Sequence, residues 1–217
     1  MTMTLAWSGG KDSALALWDL RRQGIEPAAL LTTITEGYER VSMHGVRRDL
    51  LGAQAEAAGI PLVEVRIPPG CVNAVYDARM GAAVSSLKEA GIESIAFGDI
   101  YLEDVRAYRE ERLARAGIEA VFPLWGRDTA GLARAFVAAF EAVVICLDPG
   151  RLDATLAGRP FDEALLSELP PDVDPCGENG EFHTFVVDGP VLCRRVQCST
   201  GPTVEREGFV FADLLPT

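Results

Sequence analysis

Short apolar segments alternate with amphipathic helical segments through residues 1–148 of the chain, and this alternation constrains the fold more than any other feature. Most of the apolar segments are near-continuous runs, as expected of strands that are buried on both faces of a sheet. Repeated strand-then-helix units with short connections predict an α/β fold with a doubly wound, mostly parallel, Rossmann-like sheet. The predicted strands are Thr4–Trp7, Ala28–Thr33, Leu62–Ile67, Ser94–Phe97, Glu119–Leu124 and Ala142–Leu147.

The alternation ends at Asp148-Pro149-Gly150. A short helical segment at 162–169 and a turn-rich run at 170–180 follow, and then come three β-rich segments. We therefore predict an α/β domain at residues 1–148 and a small α+β region at 149–217, here called the annex, which covers the substrate. The predicted annex strands are Phe182–Val187, Val191–Cys198 and Phe209–Phe211.

Composition excludes several classes of protein. No apolar run approaches the roughly 18 residues that span a bilayer, and the first residues do not resemble a signal peptide, which predicts a cytoplasmic protein without a membrane partner. The five cysteines include no CxxC pair, so a disulfide framework, a zinc site and an iron–sulfur site are all disfavoured. A net charge of −12 argues against nucleic acid as a partner. Nothing in the sequence predicts an oligomeric state.

The string Ser8-Gly9-Gly10-Lys11-Asp12-Ser13 joins the first predicted strand to a helix. Two glycines allow a tight turn and close approach of a ligand, and the helix N-terminus favours an anion. Hydroxyl groups and the ammonium of Lys11 add further phosphate-binding groups. The string is neither a Walker A loop nor a GxGxxG loop, so ordinary kinase, GTPase and dehydrogenase functions lose support. The structural alternative is a common strand-to-helix turn with an N-cap residue.

Gly98 and Asp99 follow another predicted parallel strand, so they are expected to face the same crevice as the phosphate loop. Asp99 and Asp12 are candidate ligands for Mg²⁺, although a helix N-cap also explains an aspartate at position 99. Tyr101 and Arg106 are candidate substrate contacts. Arg106 and Glu110 are spaced i, i+4, which equally predicts an exposed ion pair.

The densest polar cluster of the annex runs from Asp174 to Thr184. Glu181 and His183 share one face of a predicted strand, and we regard both as candidate catalytic residues. Glu178, Asn179, Glu181 and Thr184 are candidate substrate contacts; solvated turn residues and an edge-strand histidine are the alternative. Cys176 is predicted to be a structural thiol. His44 is either a nucleotide contact or a residue at a helix start.

The string SGGKDS resembles the PP-loop of the ATP pyrophosphatases, or adenine nucleotide alpha-hydrolases, which have HUP-type sheets and cleave ATP between the α- and β-phosphates. The resemblance implies that Ser8, Gly9, Gly10, Asp12 and Ser13 bind the phosphates, and it places adenine near Thr32 and Thr33. Lys11, Gly98 and His44 are further candidate nucleotide contacts because of their positions in the chain.

Five segments together resemble the diphthine–ammonia ligase family: SGGKDS, Gln54–Leu62, Phe97–Glu110, Phe122–Trp125 and CGENGEFHTFV. Members of this family amidate a carboxylate on diphthine, a modified histidine of elongation factor 2, with ATP and ammonia. Eukaryotic members have a GEYET-like string where this chain has Glu181-Phe182-His183-Thr184, and an alanine-like residue at Asp99. The chain is therefore more similar to the prokaryotic branch, and the acceptor carboxylate stays open.

The resemblance implies an ATP-dependent ligase that forms AMP and pyrophosphate, passes through an acyl-adenylate and joins a carboxylate acceptor to ammonia or a small amine. Lys11, Asp12, Asp99, Glu181 and His183 are the predicted catalytic residues, with Mg²⁺ on Asp12 or Asp99. Two alternatives are an RNA-modifying PP-loop enzyme and a non-catalytic sensor of adenine nucleotides.

Overall fold

A parallel sheet with helices on both faces forms the first part of the molecule. The structure is a computed structural model and describes residues 2–42 and 44–217. Met1 and Met43 lie outside the described residues. The described elements follow in chain order: β1 (Met3–Ala6), α1 (Lys11–Arg22), β2 (Ala29–Thr35), β3 (Arg40–Val41), α2 (Arg48–Ala58), β4 (Leu62–Ile67), α3 (Asn73–Glu89), β5 (Ser94–Ala96), α4 (Glu103–Ala116), β6 (Glu119–Val121), α5 (Thr129–Ala139), β7 (Glu141–Leu147), α6 (Glu163–Glu168), β8 (Phe182–Asp188), β9 (Cys198–Arg206) and β10 (Phe209–Pro216), with a short 3-10 helix at Ala154–Leu156.

The parallel strands lie in the order β4-β2-β1-β5-β6, and β3 pairs antiparallel with the end of β2. The chain winds outward from β1 through β2 and β4, and then crosses to β5 on the other side of β1. This arrangement confirms the predicted doubly wound α/β sheet. The point between β1 and β5, where the winding direction changes, is where such sheets open a ligand crevice at the carboxyl ends of the strands.

The sixth predicted strand does not belong to this sheet. As β7, it pairs antiparallel with β8 and β10, in a second sheet of order β8-β7-β10-β9. The prediction was wrong because a buried apolar run does not indicate which strands will flank it. Pairing places residues 141–147 with the annex strands, so the division at residue 148, which remains a proposal, is better drawn before β7.

The predicted annex strand at Val191–Cys198 is also wrong, because β9 begins only at Cys198. Residues 191–197 instead form a connection whose Val191 and Val196 side chains are buried in the core. Backbone bonds hold this segment: Cys193 N donates to Ala57 O, and Val196 N donates to Val187 O. The prediction failed because the apolar residues of a connection can be buried, and their sequence then resembles that of a strand.

Two apolar cores lie on opposite faces of the parallel sheet. The larger core includes residues of α1, α2 and α5 together with Phe182 and Phe185 of β8, so the annex packs on the same face as α1. The smaller core includes Val84 and Leu87 of α3 and Leu113 of α4. Among the described residues, no helix combines the length and hydropathy needed to cross a membrane.

Candidate active site

The phosphate loop turns directly from β1 into α1. Gly9 has φ +81°, a left-handed conformation that favours glycine, and Gly10 is the residue before the helix. Gly10 N donates to Ser8 Oγ at 3.2 Å, and Ser13 Oγ donates to Gly10 O at 2.9 Å. Helix α1 therefore begins at the crevice. Backbone N–H groups at the start of a helix lack intrahelical partners, and this arrangement favours the binding of anions.

The side chain of Lys11 is buried in the wall of the crevice. It is 2% exposed, its Nζ lies 5.3 Å from the centroid of the Phe182 ring, and it donates to Asp12 Oδ2 at 2.9 Å. Burial alone lowers the pKa of Lys11, but the neighbouring negative charges, that of Asp12 foremost, outweigh burial and raise it. The ammonium is therefore kept charged inside the protein wall of the crevice.

Asp12 and Asp99 each pair with a basic side chain, and each keeps one buried carboxylate oxygen without a hydrogen-bond partner among the described residues. Asp12 Oδ2 accepts from Lys11, and Asp12 Oδ1 has no partner among these residues. Asp99 Oδ1 accepts from Arg109 Nη2 at 3.1 Å, whereas Asp99 Oδ2 lies 2.7 Å from Arg109 Nε without a hydrogen bond. Within the described residues no group of three or more His, Cys, Asp or Glu side chains converges as a metal site. One free carboxylate oxygen fits Mg²⁺, which often takes one protein carboxylate plus substrate phosphates.

Gly98 lies directly against the start of α1. A Cβ atom at this position would be 2.9 Å from the backbone carbon of Asp12 and 3.0 Å from its carbonyl oxygen. The close approach brings the carboxyl end of β5 into contact with the phosphate loop, because only glycine leaves room for the neighbouring backbone. This contact fixes the width of the crevice at the switch point.

Strand β8 of the annex packs on the phosphate loop. Lys11 N donates to Thr184 Oγ1 at 3.1 Å, and Val186 N donates to Gly9 O at 2.9 Å. These bonds hold the annex beside the loop. Because two backbone groups of the loop are bonded to β8, the annex forms part of the loop's own structure.

Glu181 organises the turn that precedes β8. Its carboxylate is 3% exposed, and it accepts hydrogen bonds from Asp174 N, Asn179 N and Asn179 Nδ2 at 2.9–3.2 Å. Burial by itself raises the pKa of Glu181, but these donors, led by the Asn179 side chain, lower it overall. Glu181 therefore stays ionised, with its oxygens directed at the turn, which is the arrangement of a residue that holds a loop in place.

We expect Glu181→Gln to lower the free energy of unfolding by about 1–3 kcal/mol, because an amide group cannot accept all of these bonds. Because the pKa of Glu181 is lowered in the folded protein, its contribution to the free energy of unfolding depends on pH. The contribution is present above the ordinary glutamate pKa, and it is lost as the pH falls through the pKa of Glu181 in the folded state. Urea unfolding between pH 7 and pH 3 measures this contribution, with the exposed Glu89→Gln as the matched control. Equal stability of both variants at pH 7 would contradict the assigned role.

Glu178 and Tyr101 connect the annex turn to the end of β5. Glu178 Oε1 accepts from Ile100 N at 2.7 Å and from Tyr101 N at 3.3 Å. Burial raises the pKa of Glu178 to about 7, assisted by the negative charge of Asp12. Burial and then Asp174 raise the pKa of Tyr101. The predicted substrate residues 101, 178 and 179 thus share one side of the crevice.

The only two histidines of the chain meet in this site. The ring centroids of His44 and His183 are 4.4 Å apart. Burial lowers the pKa of His44, and it lowers that of His183 well below the ordinary value, so both rings are neutral near pH 7. The His44 loop is tied to the annex because Arg40 and Arg47 pair with Asp213 of β10 at 2.9 and 2.6 Å.

Other predicted residues have less direct positions. Arg106 donates to Glu110 Oε1 at 2.7 Å and lies over the Trp125 ring, so the predicted ion pair is confirmed. Thr32 and Thr33 lie inside β2, which continues to Thr35 because β3 and β4 pair with its end. Burial raises the pKa of the Cys176 thiol to about 12, and its Sγ donates to Thr129 O, as expected of a structural thiol.

Sequence reasoning missed the structural role of Gln54. Its side chain is fully buried between Trp7, Gly9 and Val186, and it bonds to all three residues. The i, i+4 spacing of Gln54 from the apolar Leu50 was the available indication, because an amide on a buried helix face needs hydrogen-bond partners.

Comparisons with known proteins agree with this geometry. The family profile described as the diphthamide synthase N-terminal domain matches residues 1–120, and that of the diphthamide synthase C-terminal domain matches residues 128–211. The chain is 28% identical over 236 residues to the diphthine–ammonia ligase of Rattus norvegicus. This alignment covers 94% of this chain and 85% of the relative. The diphthine–ammonia ligase of Bos taurus is 25% identical over 228 residues, with the same coverage.

One solved structure shows the same fold. It is titled a predicted subunit of tRNA methyltransferase from Methanocaldococcus jannaschii, and it aligns with a TM-score of 0.50 and 17% sequence identity. The alignment covers 88% of this chain and 98% of that one. At this identity the likeness shows the fold alone.

Proposed function

The chain belongs to the diphthamide synthase family, and from this premise we propose that it is an ATP-dependent ligase that forms a carbon–nitrogen bond. Membership confirms the family resemblance that the sequence motifs indicated. One observation carries the proposal: the phosphate loop is hydrogen-bonded to β8, because Lys11 N donates to Thr184 Oγ1. This bond supports a shared crevice for the proposed nucleotide site and the polar turn of the annex.

We propose that the residues of the phosphate loop bind the triphosphate of ATP. The N–H groups that follow Lys11 in the first turn of α1 and the hydroxyls of Ser8 and Ser13 supply donors, and the buried ammonium of Lys11 supplies a fixed positive charge. Asp12 is the residue that would hold Mg²⁺, which neutralises phosphate charge when bound. Asp99 is the second candidate for Mg²⁺, because it too keeps a carboxylate oxygen without a hydrogen bond beside its ion pair with Arg109.

The proposed reaction has two steps. A carboxylate oxygen of the acceptor attacks the α-phosphorus of ATP, the bond to the β-phosphate breaks, and pyrophosphate leaves. Ammonia or a small amine then attacks the acyl carbon, the carbon–oxygen bond to AMP breaks, and the nitrogen loses one proton. Positioning and charge neutralisation by preorganised groups account for most of the acceleration in such a reaction.

Two residues on the annex side of the crevice, His183 and Glu178, are candidates to accept the proton that the amine releases. His183 is neutral near pH 7 because of its burial, so its ring retains a free lone pair. Glu178 has a pKa of about 7, which suits a group that exchanges protons near neutral pH. Both residues belong to the annex side of the crevice, where the acceptor carboxylate would bind.

We expect α-labelled ATP to yield labelled AMP, and γ-labelled ATP to yield labelled pyrophosphate, when the protein is supplied with Mg²⁺, ammonium and a competent acceptor. Thin-layer chromatography of both labels measures the products. ADP with orthophosphate would exclude cleavage between the α- and β-phosphates. Tight ATP binding without any AMP, across acceptors that include elongation factor 2 bearing diphthine, would instead favour a nucleotide sensor, and AMP formed only with tRNA would favour RNA modification.

A further inference from the structure

Gln54 joins three segments that are distant in sequence. Its Oε1 accepts from Trp7 Nε1 at 2.8 Å, and its Nε2 donates to Gly9 O at 3.0 Å and to Val186 O at 2.7 Å. The side chain is 0% exposed. Both N–H groups and the carbonyl of the amide are thus bonded, which only an amide side chain achieves at this position.

The bond to Gly9 fixes the orientation of one peptide group of the phosphate loop. Gly9 O accepts from both Gln54 Nε2 and Val186 N, so this carbonyl is held toward α2 and β8. A trans peptide is planar, and its N–H points opposite to its C=O. Gly10 N–H is therefore directed to the opposite side, where Ser8 Oγ accepts it.

The same amide also binds the annex strand. Val186 donates its N–H to Gly9 and accepts from Gln54 through its carbonyl, so the loop, α2 and β8 form one closed set of hydrogen bonds. Thr184, which accepts from Lys11 N, lies two residues earlier on β8. The loop is thereby linked by hydrogen bonds to the strand that carries His183 and Thr184.

We propose that Gln54 is a positioning residue that orients the phosphate loop for ATP and couples the loop to β8. The nucleotide part of this inference rests on the proposed function. The coupling of loop and strand stands on the hydrogen bonds alone, and it can be measured without any ligand.

The test compares two substitutions with one control. Gln54→Met keeps the length of the side chain and removes every hydrogen bond, whereas Gln54→Glu keeps an acceptor for Trp7 and loses at least one donor. Trp7→Phe is the control, because it removes a buried hydrogen bond of Gln54 but leaves the bonds to Gly9 and Val186. Melting temperature, calorimetric affinity for ATP with Mg²⁺ and amide hydrogen exchange of residues 8–13 and 182–188 are measured for each protein.

In both Gln54 variants we expect ATP to bind about tenfold more weakly, the factor for losing about one net hydrogen bond. Hydrogen exchange should rise in residues 8–13 and 182–188 together. Trp7→Phe should lower the melting temperature without either change. Gln54→Glu should also bind ATP more weakly as pH rises, since an ionised carboxylate donates no hydrogen bond and repels the two carbonyls.

Unchanged ATP affinity in both Gln54 variants would overturn the positioning role, and faster exchange in only one of the two segments would overturn the coupling. If Trp7→Phe reproduces every effect, Gln54 contributes only stability and the proposal is wrong. Failure of the wild-type chain to bind ATP would overturn the proposed function, and the exchange data would then decide the coupling by themselves.

Discussion

Lys11→Met is expected to lower the turnover of ATP by about 10²–10³-fold, the usual effect of removing a preorganised charge from a transition state. The same substitution should lower the free energy of unfolding by about 1–3 kcal/mol, because it leaves the partly buried Asp12 carboxylate without its ammonium partner. Steady-state release of pyrophosphate and urea unfolding measure the two effects.

The only other lysine of the chain provides the matched control. Lys88 is exposed, and its Nζ donates to Gly117 O. It lies on α3, which packs on the face of the parallel sheet opposite to α1. Lys88→Met should therefore change both turnover and stability only slightly. An equal loss of turnover in the Lys88 variant would show that overall charge, and not the position of Lys11, matters.

A double variant separates chemistry from folding. Lys11→Met combined with Asp12→Asn removes both charges of the pair, so much of the lost stability should return while turnover stays low. Recovery of turnover together with stability would contradict a role of Lys11 in phosphate binding, since it would trace the loss of activity to the isolated Asp12 charge.

Gly98→Ala is expected to weaken ATP binding by about 10–10²-fold, because a displaced start of α1 would lose about one hydrogen bond to a charged phosphate group. The added Cβ would stand 2.9 Å from the backbone of Asp12, and neither backbone segment can rotate away as a flexible side chain does. Overpacking of this kind also lowers the free energy of unfolding by about 1–3 kcal/mol. Calorimetric titration with ATP and thermal melting measure the two changes.

Gly52→Ala is the control for the Gly98 variant. Gly52 lies inside α2, and a Cβ at this position meets no atom within 4 Å. Alanine there should stabilise the helix by about 0.5–1 kcal/mol and leave ATP binding unchanged. Normal ATP affinity in Gly98→Ala would show that the crevice does not depend on close contact between β5 and α1.

The sequence by itself predicted the parallel sheet, the phosphate loop and the polar turn of the annex. Each depends on neighbouring residues: apolar periodicity over a few positions, two glycines before a helix, or a run of polar residues between glycines. Hydrogen bonds of the Ser8–Ser13 loop and the i, i+4 pair of Arg106 and Glu110 span at most a few residues. Such interactions are encoded locally, so they are visible without a structure.

Only the tertiary structure decided what surrounds these local features. Lys11 is buried because Phe182 of the annex covers it, His44 meets His183 from a distant loop, and Gln54 binds Gly9 and Val186. The membership of β7 in the second sheet was decided in the same way, by strands that come later in the chain. The burial of a residue and the pairing of a strand depend on which segments of the chain pack together. The hydrophobic periodicity of a sequence indicates which face of a helix or strand is buried, but it does not indicate which segment covers that face.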